Sequence, residues 1–144
     1  MKKISNFCSN FLKKAEKEII VYRGLSPSRT KRFLGEHFSS DEKFSGMFGE
    51  VSTYNLKLKK VLDLTNPSNI KKYFDEDMVR YFQLGDFWKM QTDKDGFNIT
   101  PINEVVSFAQ KHNFSIVKYI ENFSSNVKPV NYLVLDNSLY KKVM

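Results

Sequence analysis

The sequence predicts an α+β fold with a mixed or antiparallel sheet, and three observations carry that prediction. Near the start, "EIIVY" is a run of β-branched and aromatic residues that ends at Gly24 and the turn-rich "SPS". Further on, "EVSTYNLKLKKVLDLT" alternates apolar and polar positions with the two-residue period of a strand. Helical patterns then occupy the middle, and strand-like runs return at the end. Helices and strands are thus grouped rather than interleaved as in a parallel α/β sheet.

The opening "MKKISNFCSNFLKKAEKE" begins with two lysines, as a signal peptide does, but Asn6, Ser9, Asn10, Lys13 and Lys14 interrupt any apolar stretch. Ile4, Phe7, Cys8, Phe11 and Leu12 fall instead on one face of a helix expected over residues 3–17. Ile19 to Tyr22 read as a buried strand that stops at Arg23-Gly24. After the Ser26-Pro27-Ser28 turn come a short helical piece in "SRTKRFLG", a brief strand in "EHFSS" and a short helix in "DEKFSGMFG". Asp41 and Glu42 lie in the first turn of that helix, where negative charge is favourable. Val51, Thr53, Leu56, Leu58, Val61, Leu62 and Leu64 mark one strand, or two joined at Lys59-Lys60. From Pro67 to His112 the pattern is helical with irregular connections. "SNIKKYFDEDMVRYFQL" offers a cap at Ser68 or Asn69, its Asp75-Glu76-Asp77 reads as a solvated helix start, and "DKDG" is a turn. Thr100, Pro101 and Glu104 make a good helix start. "FSIVKYIENF" and "VNYLVLD" are strands. No repeat, low-complexity segment or linker divides the 144 residues, so one domain over 1–144 is expected, with helix 3–17 packed on it.

A chain that is 41% hydrophobic and 15% aromatic has the composition of a globular protein. No run approaches the length of a membrane-spanning helix, so cytoplasmic action and no membrane partner are the expectation. The single cysteine forbids an internal disulfide, and Cys8 belongs to an apolar face that favours packing over nucleophilic chemistry. His37 and His112 stand far apart, so no metal is expected. The net charge of +7 suits an acidic partner: nucleic acid, an anionic protein or a phosphate-bearing ligand. The lysines come in scattered pairs, and a simply soluble basic surface explains them equally well.

Three separated segments matter together: "VYRG", "GEHFSSDEKFSGMFG" and "VNYLVLD". The set resembles the ADP-ribosyltransferase superfamily, which includes the poly(ADP-ribose) polymerases and many bacterial and phage toxins. In that family one strand ends in His-Gly or Arg-Gly, and a second carries Tyr-Phe or Ser-Thr-Ser and leads into a short helix. A late strand supplies a glutamate. The resemblance implies a split mixed or antiparallel sheet with flanking helices, and NAD as substrate. It places Arg23 on the NAD ribose or phosphates, and Gly24 where a bare backbone lets nicotinamide approach. His37 stands at the family's tyrosine position, and Ser39 or Ser40 at the toxin-like serine. Ser45 and Phe48 match in spacing a serine that bonds the carboxamide and a tyrosine that stacks on the nicotinamide ring.

Asn131 lies where the resemblance calls for the glutamate, which bonds the ribose 2′-hydroxyl and stabilises an oxocarbenium-like transition state. Asparagine holds the hydroxyl without supplying the charge, which lowers the expected rate by ~10²–10³. Glu121 in "YIENF" and Glu36 are candidate substitutes for that carboxylate, while Asp136 reads as a turn former. The expected site is one cleft holding Arg23, Ser39, Glu121 and Asn131 as catalytic groups and Arg23, Gly24, His37, Ser45 and Phe48 as NAD-binding groups. The expected function is transfer of ADP-ribose from NAD to a macromolecular target, protein or nucleic acid, by a phage or bacterial effector acting in a host cell. The alternative is an inactive descendant of the fold that binds or inhibits a partner through its basic surface. A basic nucleic-acid-binding domain is the third reading, and strong salt dependence is its mark. Phe87, Trp88 and Met90 form a partner-binding or base-stacking patch, or else pack in the core.

Overall fold

The computed structural model describes residues 17–25, 35–76, 78–80, 91–92, 95–96, 98–121 and 126–143. All but the last residue of the expected N-terminal helix, with Cys8, lies outside them, as do the helical piece at 28–34 and the Phe87–Trp88 patch. Strands β1 (Glu18–Leu25), β2 (Glu36–Ser39), β3 (Glu50–Lys57), β4 (Val61–Asp63), β7 (Ile116–Ile120), β8 (Val130–Val134) and β9 (Tyr140–Lys142) form one sheet in the order β4-β7-β8-β2-β1-β3-β9. β4 and β7 run parallel and every other neighbouring pair antiparallel, so the sheet is mixed and the α+β class holds. A separate ribbon pairs β5 (Gln91–Thr92) with β6 (Asn98–Ile99). The helices are α1 (Glu42–Gly46), α2 (Pro67–Tyr73) and α3 (Pro101–Lys111).

"EVSTYNLKLKKVLDLT" is two strands, broken where Lys60 takes a left-handed φ of 50°. Its halves lie five strand spacings apart in the order. Lys57 and Val61 are four chain steps apart, a reach of at most ~14 Å, whereas five spacings of a flat sheet come to ~24 Å. The sheet therefore curls. Its concave face gathers Val21, Phe38, Leu56, Ile116, Tyr132 and Val134 with Leu139, drawn from strands that a flat sheet would hold apart. The opposite face packs Leu62, Leu64, Val117, Tyr119 and Leu133 against Ile102, Val105, Val106 and Ala109 of α3. Those α3 positions recur at the three- and four-residue spacing of one helix face.

Local chemistry explains the departures from expectation. α2 is capped by Asn66, whose side chain accepts from the Ser68 N–H at 2.9 Å, rather than by Ser68 or Asn69. Pro67 takes the early helical position that needs no donor. The helix stops because Phe74 is extended, and Asp75 caps a new turn by accepting from the Met78 N–H at 3.0 Å. Thr100 occupies the cap position of α3 without a side-chain cap bond. β5, β6 and β9 were not expected. β9 forms because Tyr140 packs against Phe38 and Tyr54, with ring centroids 4.8 and 5.9 Å away, which seats "YKK" on β3.

Asp136 is the turn former it was expected to be. Its carboxylate accepts from the Ser138 hydroxyl at 2.7 Å and the Ser138 N–H at 2.9 Å, and these bonds hold its carboxyl below the usual range. A lowered pKa gives stability that is present above the ordinary aspartate value of about 3.9 and lost as pH falls through the folded value. Asp136→Ala is therefore expected to lower the unfolding midpoint slightly at neutral pH, with the difference shrinking under acid. Thermal melts of both proteins across that range check this.

Candidate functional site

Antiparallel register aligns Tyr119, Asn131, Ser39, Tyr22 and Thr53 in one row across β7, β8, β2, β1 and β3. Because side chains alternate along a strand, all five share the face that carries α3. Tyr119, Ser39 and Asn131 are buried. His37 lies on the same face beside Leu133, its Nδ1 3.3 Å from the Tyr119 hydroxyl, with the rings edge to face.

The row crosses a seam. β1 and β3 pair along their whole length, from Glu18–Lys57 to Leu25–Glu50, whereas β1 and β2 are joined by the single pair Tyr22–Ser39. The turn out of β2 is set by its own polar residues. Ser39 Oγ accepts from the Asp41 N–H at 3.1 Å, and the Asp41 carboxylate accepts from the Phe44 N–H at 3.0 Å, which caps α1. α1 then lies over β1 on the row's face. A Cβ on Gly24 would run into the Ser45 carbonyl, with the Ser45 carbonyl carbon 2.9 Å and the Gly49 nitrogen 3.3 Å away. The absent side chain at Gly24 is thus required by the chain's own helix. Ser45 is buried, and Phe48 is half-exposed with its ring 5.1 Å from Phe44.

At the other side of the row, Asn131 Nδ2 donates to Glu121 Oε2 at 2.5 Å. The Glu121 N–H donates to the Pro129 carbonyl at 2.9 Å, which prolongs the β7–β8 pairing and keeps Glu121 on the face of Tyr119 and Asn131. Asn131 Oδ1 is buried and has no hydrogen-bond partner among the described residues. An amide oxygen left this way seeks a donor. A carboxylate beside it makes the spot rich in acceptors, suited to hydroxyl or N–H groups of a ligand.

Arg23 breaks the expected constellation. It alternates with Tyr22 and Gly24, so its side chain turns to the concave face. There its Nη1 pairs with Glu36, and its guanidinium carbon lies 5.9 Å from the centre of the Phe38 ring. The two side chains are 21% and 10% exposed. Gly24, His37, Ser39, Ser45, Glu121 and Asn131 belong to the helix-bearing face, with Phe48 at the end of the helix packed there. Arg23 and Glu36 do not, and one cleft holding all the expected groups is not what forms. Tyr119 and Tyr22 were missed. Counting by twos back from Glu121 would have found Tyr119, because it shares that face.

No protein-family model, curated protein or solved structure matches this chain. Among the described residues, no helix is long and apolar enough to cross a membrane, and no three His, Cys, Asp or Glu side chains come together as a metal site would require.

Proposed function

We propose that the helix-bearing face binds NAD and that the protein is an ADP-ribosyltransferase-like enzyme passing ADP-ribose to a macromolecular acceptor. One observation carries the reading. The segments "VYRG", "HFSSDEKFSGMF" and "VNYLVLD", distant in sequence, lie on three neighbouring strands with Tyr22, Ser39 and Asn131 in register and α1 over Gly24. In this reading Asn131 Oδ1 takes the ribose 2′-hydroxyl as donor. Ser39 and Ser45 seat the nicotinamide ribose and carboxamide, with His37 beside them, and the half-exposed Phe48 offers its ring to nicotinamide. Arg23, paired with Glu36 on the other face, has a structural part only. The basic surface suits an acidic protein or nucleic-acid acceptor, as an effector in a host cell would meet.

A second reading keeps the fold and removes the chemistry: an inactive binding or inhibitor protein acting through its positive charge. Asn131 in place of a glutamate and the Arg23–Glu36 pair favour it. Incubation with labelled NAD and a cell lysate separates the two. Label transfer or release of free nicotinamide supports the enzyme. Absence of transfer, of hydrolysis and of NAD binding rejects it and leaves the binding protein.

A further inference from the structure

The missing glutamate has a neighbour able to replace it. We propose that Glu121 is the working carboxylate of this site, held in place by the Asn131 amide whose oxygen faces the ribose, a division of roles that rests on the NAD reading above. Among the described acids, Glu36 is tied to Arg23 on the concave face. Asp41, Asp63, Asp75 and Asp136 each accept local backbone N–H bonds in turns or caps. Glu121 alone is bonded to the side chain that stands in the glutamate position.

The chemistry of the pair is self-consistent. The Asn131 amide donates one hydrogen to Oε2, which fixes the position of the carboxylate. A glutamate at 131 would put two carboxylates side by side, and one would be forced to hold a proton. A neutral amide at 131 and a charge at 121 thus belong together: the carboxylate stands one hydrogen bond away from position 131, on the residue following β7. During reaction the bond between ribose C1′ and the nicotinamide nitrogen breaks. Its electron pair leaves with nicotinamide, which departs neutral, and the positive charge spreads over C1′ and the ring oxygen. The Glu121 carboxylate stabilises that charge. The acceptor's hydroxyl or amine then bonds to C1′, and its proton passes to solvent.

The test is a reciprocal swap, read as nicotinamide release and label transfer. Glu121→Gln keeps an oxygen to accept from Asn131 and loses the charge, so kcat is expected to fall by ~10²–10³ with KM changed little. Glu121→Gln combined with Asn131→Glu rebuilds an amide–carboxylate pair with the charge on the other strand and is expected to recover most of that loss. Asn131→Glu alone is expected not to raise activity, because the two acids share a proton. A structural role for Glu121 would alter stability without this pattern in kcat. Wild-type cleavage that survives Glu121→Gln, or a swap that recovers nothing although both variants melt as the wild type does, overturns the assignment alone. Wild-type protein that neither binds nor cleaves NAD overturns the reading beneath it.

Discussion

Arg23→Ala is expected to cost about 1–3 kcal/mol of stability, as removing one partner from a partly buried ion pair does. Glu36 is only 10% exposed, and the truncation would take from its carboxylate the guanidinium that pairs with it on the concave face. It would also strip the aliphatic stem and the cation from over Phe38. The double variant Arg23→Met/Glu36→Leu fills similar volume among Val21 and Phe38 and is expected to return close to the wild-type value or exceed it. Urea unfolding of the two variants and the parent decides the matter. A single variant that unfolds with the wild type, but loses NAD affinity, would contradict the structural role and return Arg23 to the ligand. For the same reason, loss of activity in Arg23→Ala is uninformative unless stability is measured beside it.

Gly24→Ala is expected to cost about 1–3 kcal/mol, as overpacking does. The added Cβ meets backbone, the Ser45 carbonyl and the Gly49 nitrogen, and backbone cannot swing aside as a long side chain can. Either α1 lifts from β1 or β1 bows, and both movements disturb the seam at Tyr22–Ser39. Amide hydrogen exchange distinguishes this from global loosening. Faster exchange is expected in residues 42–48, while β7 and β8 stay as protected as in the parent. Unchanged stability and exchange would mean that α1 is not held against β1.

Much of the fold was legible because its signals are local. The alternation of "EVSTYNLK", the apolar run at Ile19–Tyr22 and the Pro101 helix start each depend on residues close in sequence, and each gave an element near its expected place. β9 was not legible because Tyr140 becomes a strand residue only through Phe38 and Tyr54, distant partners that no window of sequence contains. The site divided in the same way. Gly24, Ser39, Asn131 and Glu121 share a face because strand pairing brings them there, and Ser45 joins them through α1, which lies over Gly24. Arg23, adjacent to Gly24 in the chain, faces the opposite side of the sheet. A motif records neighbours along the chain, whereas a strand sends those neighbours to opposite faces.

The proposal that NAD binds on the helix-bearing face is tested most directly by nuclear magnetic resonance of ¹⁵N-labelled protein titrated with NAD. The side-chain amide of Asn131, assigned by its loss in Asn131→Asp, and the Nε–H of Arg23, assigned by its loss in Arg23→Lys, report on the two faces. The Asn131 amide is expected to shift with saturating NAD while the Arg23 Nε–H stays in place. Saturable movement of Arg23 with Asn131 unmoved, or no saturable movement of either, would contradict the account.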